Sequence, residues 1–365
     1  MPKSIDMFNH YLPPEFYDRI VALGGNAHMM NRARKMPAMS DIRYRLEKMK
    51  EFDGYCQVPC IVSPNVEQLV GPEHSAELAR FANQCFSDLC EKYPERFPTF
   101  VATLPLDDLE KASEEAEYAV KNLGAAGAQI FTNQNGRPVD GEDFFQLYET
   151  LNALKALLWI HPARTMKQPY YYTVETEERY ELWWTMMWPI ETTMAASRLV
   201  YSGLFQRCPD LRVVLHHAGG MLPMEGGRID NGLKLYGTRT APGREDLTES
   251  PIKGLNQGQE FRRFYADCAT FGSRDAIACG LGFFGKEHML FASDMPFDPE
   301  DGFGYVRRTL ADIAALDIPE EYKDLLRFGN AERLLGIQLL RCRRRYWRGE
   351  SPSDSLKTRI KCVAL

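Results

Sequence analysis

The sequence has no long apolar run and no export signal. No stretch approaches the roughly 18 consecutive apolar residues of a membrane-spanning helix, and the start (MPKSIDMFNH) lacks a charged segment followed by an apolar one. Internal repeats and low-complexity blocks are also absent. These absences argue against membrane insertion and secretion, so we expect a cytoplasmic protein with no membrane partner.

Paired cysteines and an excess of positive charge are missing as well. The nine cysteines are odd in number and never spaced as CxxC, which argues against a disulfide framework or a four-cysteine zinc site. With 44 Lys and Arg against 50 Asp and Glu, the net charge of -6 argues against nucleic acid as a partner. Residues 341–365 are the exception, and we interpret them as a basic C-terminal tail.

What the chain does contain is enough apolar material for a large core, since 44% of its 365 residues are hydrophobic. Eight short β-like segments alternate with segments of helical apolar spacing, which is typical of parallel strands joined by right-handed crossovers. Eight such units predict an α/β fold, a (β/α)₈ TIM barrel over residues 1–340. The predicted strands span residues 4–8, 56–62, 99–103, 128–131, 156–160, 211–215, 263–266 and 289–292.

Two segments depart from a plain barrel. Residues 35–50 are predicted to form an exposed, charged helix before the second strand. Residues 170–188 carry four tyrosines and three tryptophans and form an insertion after the fifth strand. Solvent does not normally face so much aromatic surface, so this insertion is expected to cap the barrel, line a pocket or form a subunit interface.

The seven histidines include several that follow predicted strands. His10 follows the first strand and His161 the fifth, while Asp294 follows the eighth. The C-terminal ends of barrel strands meet at one mouth, so these groups are expected to converge there. Two imidazoles and one carboxylate leave coordination positions open, as in a catalytic metal site. This donor set suits zinc and also matches the facial triad of non-haem iron enzymes.

Further candidates lie beside these residues. His217, after the sixth strand, is either another metal ligand or a general acid and base, because imidazole exchanges protons near neutral pH. If the strand continues this far, its neighbour His216 lies on the opposite side; one of the two is then buried in packing, and His217 is favoured as the pocket residue. Asp267 is a candidate to orient a ligand histidine, or else is a surface or helix-capping aspartate. Arg164 is placed to hold a substrate carboxylate through two hydrogen bonds, or else forms an ordinary loop ion pair.

Six segments together resemble one known family. They are IDMFNHYLPPEF (5–16), WIHPAR (159–164), WPIETTMAASRLVYSGLFQRCPDLRVVLHHAGGMLPMEGGRID (188–230), YADCATFG (265–272), LFASDMPFDP (290–299) and GNAERLLGI (329–337). Over residues 4–338 the chain resembles the amidohydrolase superfamily. Within it, the chain is similar to the branch of 2-amino-3-carboxymuconate-6-semialdehyde decarboxylase and the resorcylate-type decarboxylases.

The resemblance implies a barrel that holds one divalent metal ion and carries out nonoxidative decarboxylation or hydrolysis of a small carboxylated substrate. Matched position by position, it implies that His10, His161 and Asp294 bind the metal and that His217 and Asp294 are catalytic. Zinc is the first expectation for the ion, with iron or manganese as alternatives. The resemblance also implies a dimer.

Phe8 is the main departure from the family pattern, because it occupies the position of the first histidine in a His-x-His motif. Phe8 cannot bind a metal, so either the remaining residues hold the ion, with His217 or water completing the shell, or the site is degenerate. A third hypothesis follows from relatives that act as metal-dependent oxygenases. In that case the chain is one subunit of a hetero-oligomer similar to 2-aminoisobutyrate hydroxylase, either as a catalytic subunit or as the non-catalytic partner.

Overall fold

The structure is a computed structural model, and it describes residues 3–336. Every one of the eight predicted strands is present, and neighbouring strands that pair do so in parallel. Their bounds are Ser4–His10, Tyr55–Cys60, Val101–Ala102, Gly127–Phe131, Leu157–His161, Arg212–Leu215, Tyr265–Asp267 and Met289–Leu290. The predicted α/β barrel class is confirmed. The basic tail predicted at 341–365 lies outside the described residues.

Helices alternate with the strands and cover the outside of the sheet. None of the helices within residues 3–336 is long and apolar enough to cross a bilayer. The α-helices are Pro14–Ala22, Asn31–Arg34, Pro37–Ser40, Ile42–Met49, Val66–Val70, Pro72–Lys92, Leu109–Tyr118, Phe145–Ala153, Leu182–Thr185, Met187–Tyr201, Leu204–Arg207, Gln257–Phe261, Arg274–Phe284, Gly304–Ala314, Glu320–Asp324 and Asn330–Leu335.

Regular ladder pairing stops at two seams of the barrel. The first two strands pair with each other, and the other six form one sheet that runs from the eighth strand to the third. At the seam between the first and eighth strands, Met7 N–H donates to Phe291 O at 2.9 Å, and Asp294 N–H donates to Phe8 O at 3.0 Å. Backbone hydrogen bonds therefore still connect the start of the barrel to its end.

Side chains alternate between the barrel interior and the layer under the helices. On the fifth strand, Leu157 and Trp159 join the interior cluster, whereas Leu158 and Ile160 pack in the outer layer. The Trp159 indole N–H donates to Met7 O at 3.1 Å, so this ring crosses the interior to the first strand. By the same alternation His161 is an interior residue at the C-terminal end of its strand.

The segment predicted as an exposed charged helix is only partly exposed. Its main helix, Ile42–Met49, buries Arg45 completely. The Arg45 guanidinium donates to Asn9 Oδ1 at 2.6 Å and to His10 O at 2.6 Å. The prediction was wrong at Arg45 because a charged residue can be buried when every donor finds an oxygen acceptor. The arginine thereby fixes the end of the first strand.

Two short antiparallel strands, Asn133–Gln134 and Arg137–Pro138, form a hairpin after the fourth barrel strand that was not predicted.

Candidate active site

Interior side chains from four strands converge at the C-terminal end of the barrel. The ring centroids of His10 and His161 are 5.7 Å apart, and those of His161 and His216 are also 5.7 Å apart. From the segment after the eighth strand, Asp294 Oδ1 lies 3.0 Å from His10 Nε2. The predicted residues His10, His161 and Asp294 therefore lie in one buried group, joined by His216.

His10 and His161 are oriented in the same way. His10 Nδ1 lies 3.4 Å from Ile61 O, and His161 Nδ1 lies 2.6 Å from Pro162 O. A carbonyl oxygen accepts, so each Nδ1 carries a proton; His161 Nε2 keeps a lone pair, whereas His10 Nε2 donates to Asp294 Oδ1. Metal-binding histidines are typically held by such a bond from the other ring nitrogen. Burial, with His10 as the next cause, holds the pKa of His161 well below its ordinary value, which keeps it neutral.

The Asp294 carboxylate links two histidines. Its Oδ1 contacts His10, and its Oδ2 lies 3.3 Å from His217 Nε2. Burial raises the pKa of Asp294, but the hydrogen bonds from His10 and His217 outweigh it, so the net pKa is lowered. Burial lowers the pKa of His10, but the adjacent Cys60 and Asp294 raise it by more, so the net pKa of His10 is raised. This arrangement places a buried carboxylate where positive charge stabilises it.

His217 lies two residues beyond the end of the sixth strand. Its backbone φ is +55°, which starts a tight turn and swings its ring back towards the barrel mouth. The ring lies 6.5 Å from the Trp188 ring and 5.6 Å from the Phe271 ring, between centroids. Burial lowers the pKa of His217, but Asp294 raises it by more, so the net pKa of His217 is raised. A protonated imidazole near the mouth can act as a proton donor.

The sequence argument put His216 on the outside of the strand, and the structure does not place it there. It is fully buried inside the barrel. Alternate residues of a strand face the same side, and Val214, two residues earlier, is also an interior residue. The sequence argument placed the pair on opposite sides and chose His217 as the inward residue. The strand ends at Leu215 and the turn at His217 makes both rings face the site, so the expectation of opposite sides was wrong, whereas His217 does face inward.

Phe8 stands at the centre of this group of rings. Its ring centroid is 4.7 Å from that of His10 and 5.6 Å from that of His161. It stacks on His216 with the centroids 3.3 Å apart. Phe8 therefore fills the interior position between the candidate ligands with an apolar ring and supplies no donor atom.

Arg164 lies at the mouth but already has an anionic partner. Its Nη1 donates to Glu191 Oε1 at 2.7 Å, and both side chains are largely buried. The Trp188 indole N–H donates to the Arg164 carbonyl oxygen at 3.2 Å, which ties this loop to the aromatic insertion. The loop ion pair is thus present, and substrate binding by Arg164 stays a prediction.

The aromatic insertion is mostly open to solvent. Tyr172 is 79% exposed and Tyr180 is 83% exposed. Trp188, at its end, is the member that meets the site, with its ring centroid 5.5 Å from that of His161. The segment does not form a closed cap over the barrel within the described residues.

The donor atoms fit a divalent cation in kind, although the side chains are not closed around a common point. Two imidazoles and a carboxylate, in their deprotonated forms, are ligands of catalytic zinc and of manganese, so His10 must give up the proton that it shares with Asp294. Their donor atoms do not all lie within 4.8 Å of one another, so ion binding requires these side chains to move together. Within residues 3–336 that spacing is met by Asp298, Glu300 and Asp301. Lys48 and Arg307 already pair with Asp301 there.

Comparison with known proteins gives the family. The model of the amidohydrolase family matches residues 5–337. The chain belongs to the amidohydrolase family. This finding confirms the resemblance inferred from the sequence segments.

Three relatives narrow the branch of this amidohydrolase. The chain is 30% identical to decarboxylase yanB of Aspergillus niger over 81% of its own length and 77% of the relative's. It is 26% identical to 2-amino-3-carboxymuconate-6-semialdehyde decarboxylase of Dictyostelium discoideum, over 80% and 76%.

The third relative is a solved structure. A dihydroxybenzoic acid decarboxylase from Polaromonas sp. JS666, with bound manganese and an inhibitor, matches with a TM-score of 0.73 and 25% identity, over 92% and 97%. All three relatives are decarboxylases, which favours the lyase hypothesis over the oxygenase-subunit alternative.

Proposed function

We propose that this amidohydrolase is a metal-dependent, nonoxidative decarboxylase of a small carboxylated aromatic or muconate-type substrate. The observation that carries the proposal is the pair of hydrogen bonds from His10 and His217 to the buried Asp294 carboxylate. They bring together a candidate metal-binding group and a candidate proton donor at the C-terminal end of the barrel, where barrel enzymes have their active sites.

His10, His161 and Asp294 are the residues that would hold the metal, with His217 as a candidate fourth ligand. When bound, a divalent ion supplies Lewis-acid polarisation of a substrate oxygen and orients the substrate. Zinc is expected from the imidazole-rich donor set, and manganese from the bound ion of the Polaromonas relative. Metal analysis of the purified protein distinguishes the two.

His217 would be the acid. It would donate a ring proton to the substrate carbon that bears the carboxylate. The bond from that carbon to the carboxylate then breaks, its electron pair returns to the substrate π system, and carbon dioxide leaves. A proton from solvent restores His217. Asp294 keeps the ring in place and favours its protonated form.

The mouth of the barrel supplies groups suited to such a substrate. Trp188, Phe271 and Phe297 present rings next to His161, His217 and His10, respectively. These rings can contact the faces or edges of a flat substrate. Arg164 would orient the substrate carboxylate if its pair with Glu191 opens.

The first experiment loads the protein with Zn²⁺ or Mn²⁺ and measures carbon dioxide release from hydroxylated benzoic acids and a carboxymuconate semialdehyde. We expect turnover of at least one, and His217→Ala should lower kcat by about 10²–10⁴-fold while leaving the metal content largely intact. His74→Ala is the control, since His74 is a partly exposed residue of helix Pro72–Lys92. Full turnover by His217→Ala would remove His217 as the acid.

Oligomeric state and cellular location complete the proposal. A homodimer is proposed because the exposed aromatic residues between 170 and 188 are typical of a subunit contact. A heterodimer with a related barrel is the alternative, and light scattering of the purified chain tests both. A cytoplasmic location is proposed from the sequence and is tested by fractionation of cells that express the chain.

A further inference from the structure

The geometry points to His216 as an additional ligand of the metal centre, which would supply the third interior imidazole beside His10 and His161. The inference rests on the metal centre of the proposed function and adds a residue to it. His216 is fully buried, and its Nε2 has no hydrogen-bond partner within residues 3–336.

His216 is held as His10 and His161 are held. Its Nδ1 lies 2.8 Å from Asp267 Oδ2, so Nδ1 donates to a carboxylate and Nε2 keeps the lone pair. Asp267 is itself fixed, because its other oxygen accepts the Ala269 N–H at 3.0 Å. A carboxylate that orients a histidine and raises its basicity is a typical support for a metal ligand.

The surroundings explain why the free nitrogen is unusual. A buried, unpaired polar atom costs about 1–3 kcal/mol, so it is retained where it has a use. Phe8 covers one face of the His216 ring and offers no polar atom, and His161 also keeps its own Nε2 as an acceptor. Neither neighbour can donate a hydrogen bond to His216 Nε2. A cation shared with His161 would satisfy both nitrogens.

A ligand role for His216 would also supply the imidazole that the Phe8 position lacks. The interior position of Phe8 contributes an apolar ring to the centre, while the end of the sixth strand contributes an imidazole within stacking distance of it. With His216, the centre has three imidazoles and one carboxylate, and an ion that expands beyond four-coordination keeps a position for the substrate oxygen. His217 is then free to act as the proton donor rather than as a ligand.

The test measures metal binding without substrate. Metal-free protein is titrated with Co²⁺ in competition with a chelator, and the visible absorption of bound Co²⁺ reports the ligand set. His216→Gln should lower the affinity by more than the roughly 10–100-fold that loss of a ligand's supporting residue costs, and should change the spectrum. The matched control is His288→Gln, because His288 donates from Nδ1 to Phe264 O at the opposite end of the barrel.

Asp267→Asn provides a second measurement if His216→Gln does not fold, as judged by circular dichroism. It keeps the shape of the side chain and removes its charge, and we expect an affinity loss of about 10–100-fold. Unchanged affinity and spectrum in the folded variant would overturn the role of His216 and leave the proposed decarboxylase intact. No Co²⁺ binding by the unaltered chain would instead remove the metal centre, and the proposed function with it.

Discussion

Asp6 is a fully buried carboxyl group on the first strand, close to but outside the metal-binding group. It accepts hydrogen bonds from Ser293 N–H at 3.1 Å and from the Tyr55 hydroxyl at 2.7 Å. Burial raises the pKa of Asp6 from 3.8 to about 6, although the bonds from Ser293 and Tyr55 oppose the shift. The native state therefore binds a proton that the unfolded chain has already lost near pH 5.

This difference predicts a pH dependence of stability with a definite sign. Because the pKa is higher in the folded state, the stabilising contribution of Asp6 is full below about pH 4 and is lost as the pH rises through about 6. The loss amounts to about 3 kcal/mol by about pH 7. Urea denaturation of the unaltered chain and of Asp6→Asn, over this pH range, measures it as the difference between the two profiles.

The asparagine variant keeps the shape of the side chain and cannot ionise, so the other titrating groups cancel in the comparison. The Tyr55 and Ser293 hydroxyls can turn to accept from the new amide, which preserves the hydrogen bonds. Two profiles that stay parallel from acid to neutral pH would show that Asp6 does not titrate in this range.

At the residue scale, the sequence predicted which residues come together better than it predicted which way their side chains point. His10, His161, His217 and Asp294 were all predicted, and they converge. His216 was placed wrongly because strand alternation gives only relative sides, and the sequence does not show where the strand ends and the turn begins. Arg45 was missed since burial of a guanidinium depends on acceptors from other segments, such as His10 O.

At the element scale, the eight strands could be predicted because apolar runs separated by helical segments are a strong local signal. The hairpin that begins at Asn133 could not, since its two-residue strands carry no periodicity. The first strand was predicted to end at Phe8 but continues to His10, through an irregularity in the ladder after Asp6. Such an irregularity changes which side chains face inward, and it depends on the neighbouring strand.

The turn after the sixth strand is an element whose shape the site requires. His217, Ala218, Gly219 and Gly220 all have positive φ angles, and Gly220 has a φ of +66°. A Cβ atom on Gly220 would lie 2.3 Å from Pro189 O in helix Met187–Tyr201. The close approach of turn and helix therefore requires glycine at this position.

We predict that Gly220→Ala lowers both stability and activity. The strained φ alone costs about 1–3 kcal/mol, and the contact with Pro189 O forces the turn away from the helix and moves His217. Thermal unfolding and the decarboxylase assay, run on the same preparation, measure the two effects.

Gly227→Ala is the matched control, because Gly227 is exposed, has a helical φ of -64° and has open space within 4 Å of the position that a Cβ atom would take. The control should retain activity and gain up to about 1 kcal/mol of stability. If Gly220→Ala behaved like this control, the turn would not be what positions His217.

At the scale of the whole molecule, the candidate metal centre lies across a seam of the barrel. His10 belongs to the first strand and Asp294 follows the eighth, 284 positions further along the chain. Regular ladder pairing is interrupted between those two strands. An ion held by both residues would therefore connect the start of the barrel to its end, where few backbone hydrogen bonds do so.

The position of the centre predicts that metal binding stabilises the whole barrel. At a free Mn²⁺ or Zn²⁺ concentration 100 times its Kd, the free energy of unfolding should rise by about 2.7 kcal/mol. Treatment with a chelator should reverse the change. Hydrogen exchange should slow most in residues 4–10 and 289–295, because these segments form the seam, and mass spectrometry of peptides measures that distribution.

Two substitutions separate this centre from the acidic group near the surface. Asp294→Asn should abolish the metal-dependent stabilisation, since it removes the one candidate carboxylate ligand. Asp301→Asn should leave it unchanged, because Asp301 belongs to the cluster already paired with Lys48 and Arg307. Stabilisation that survived in the Asp294 variant and disappeared in the Asp301 variant would place the ion at the surface cluster, and the seam would then be closed by the protein alone.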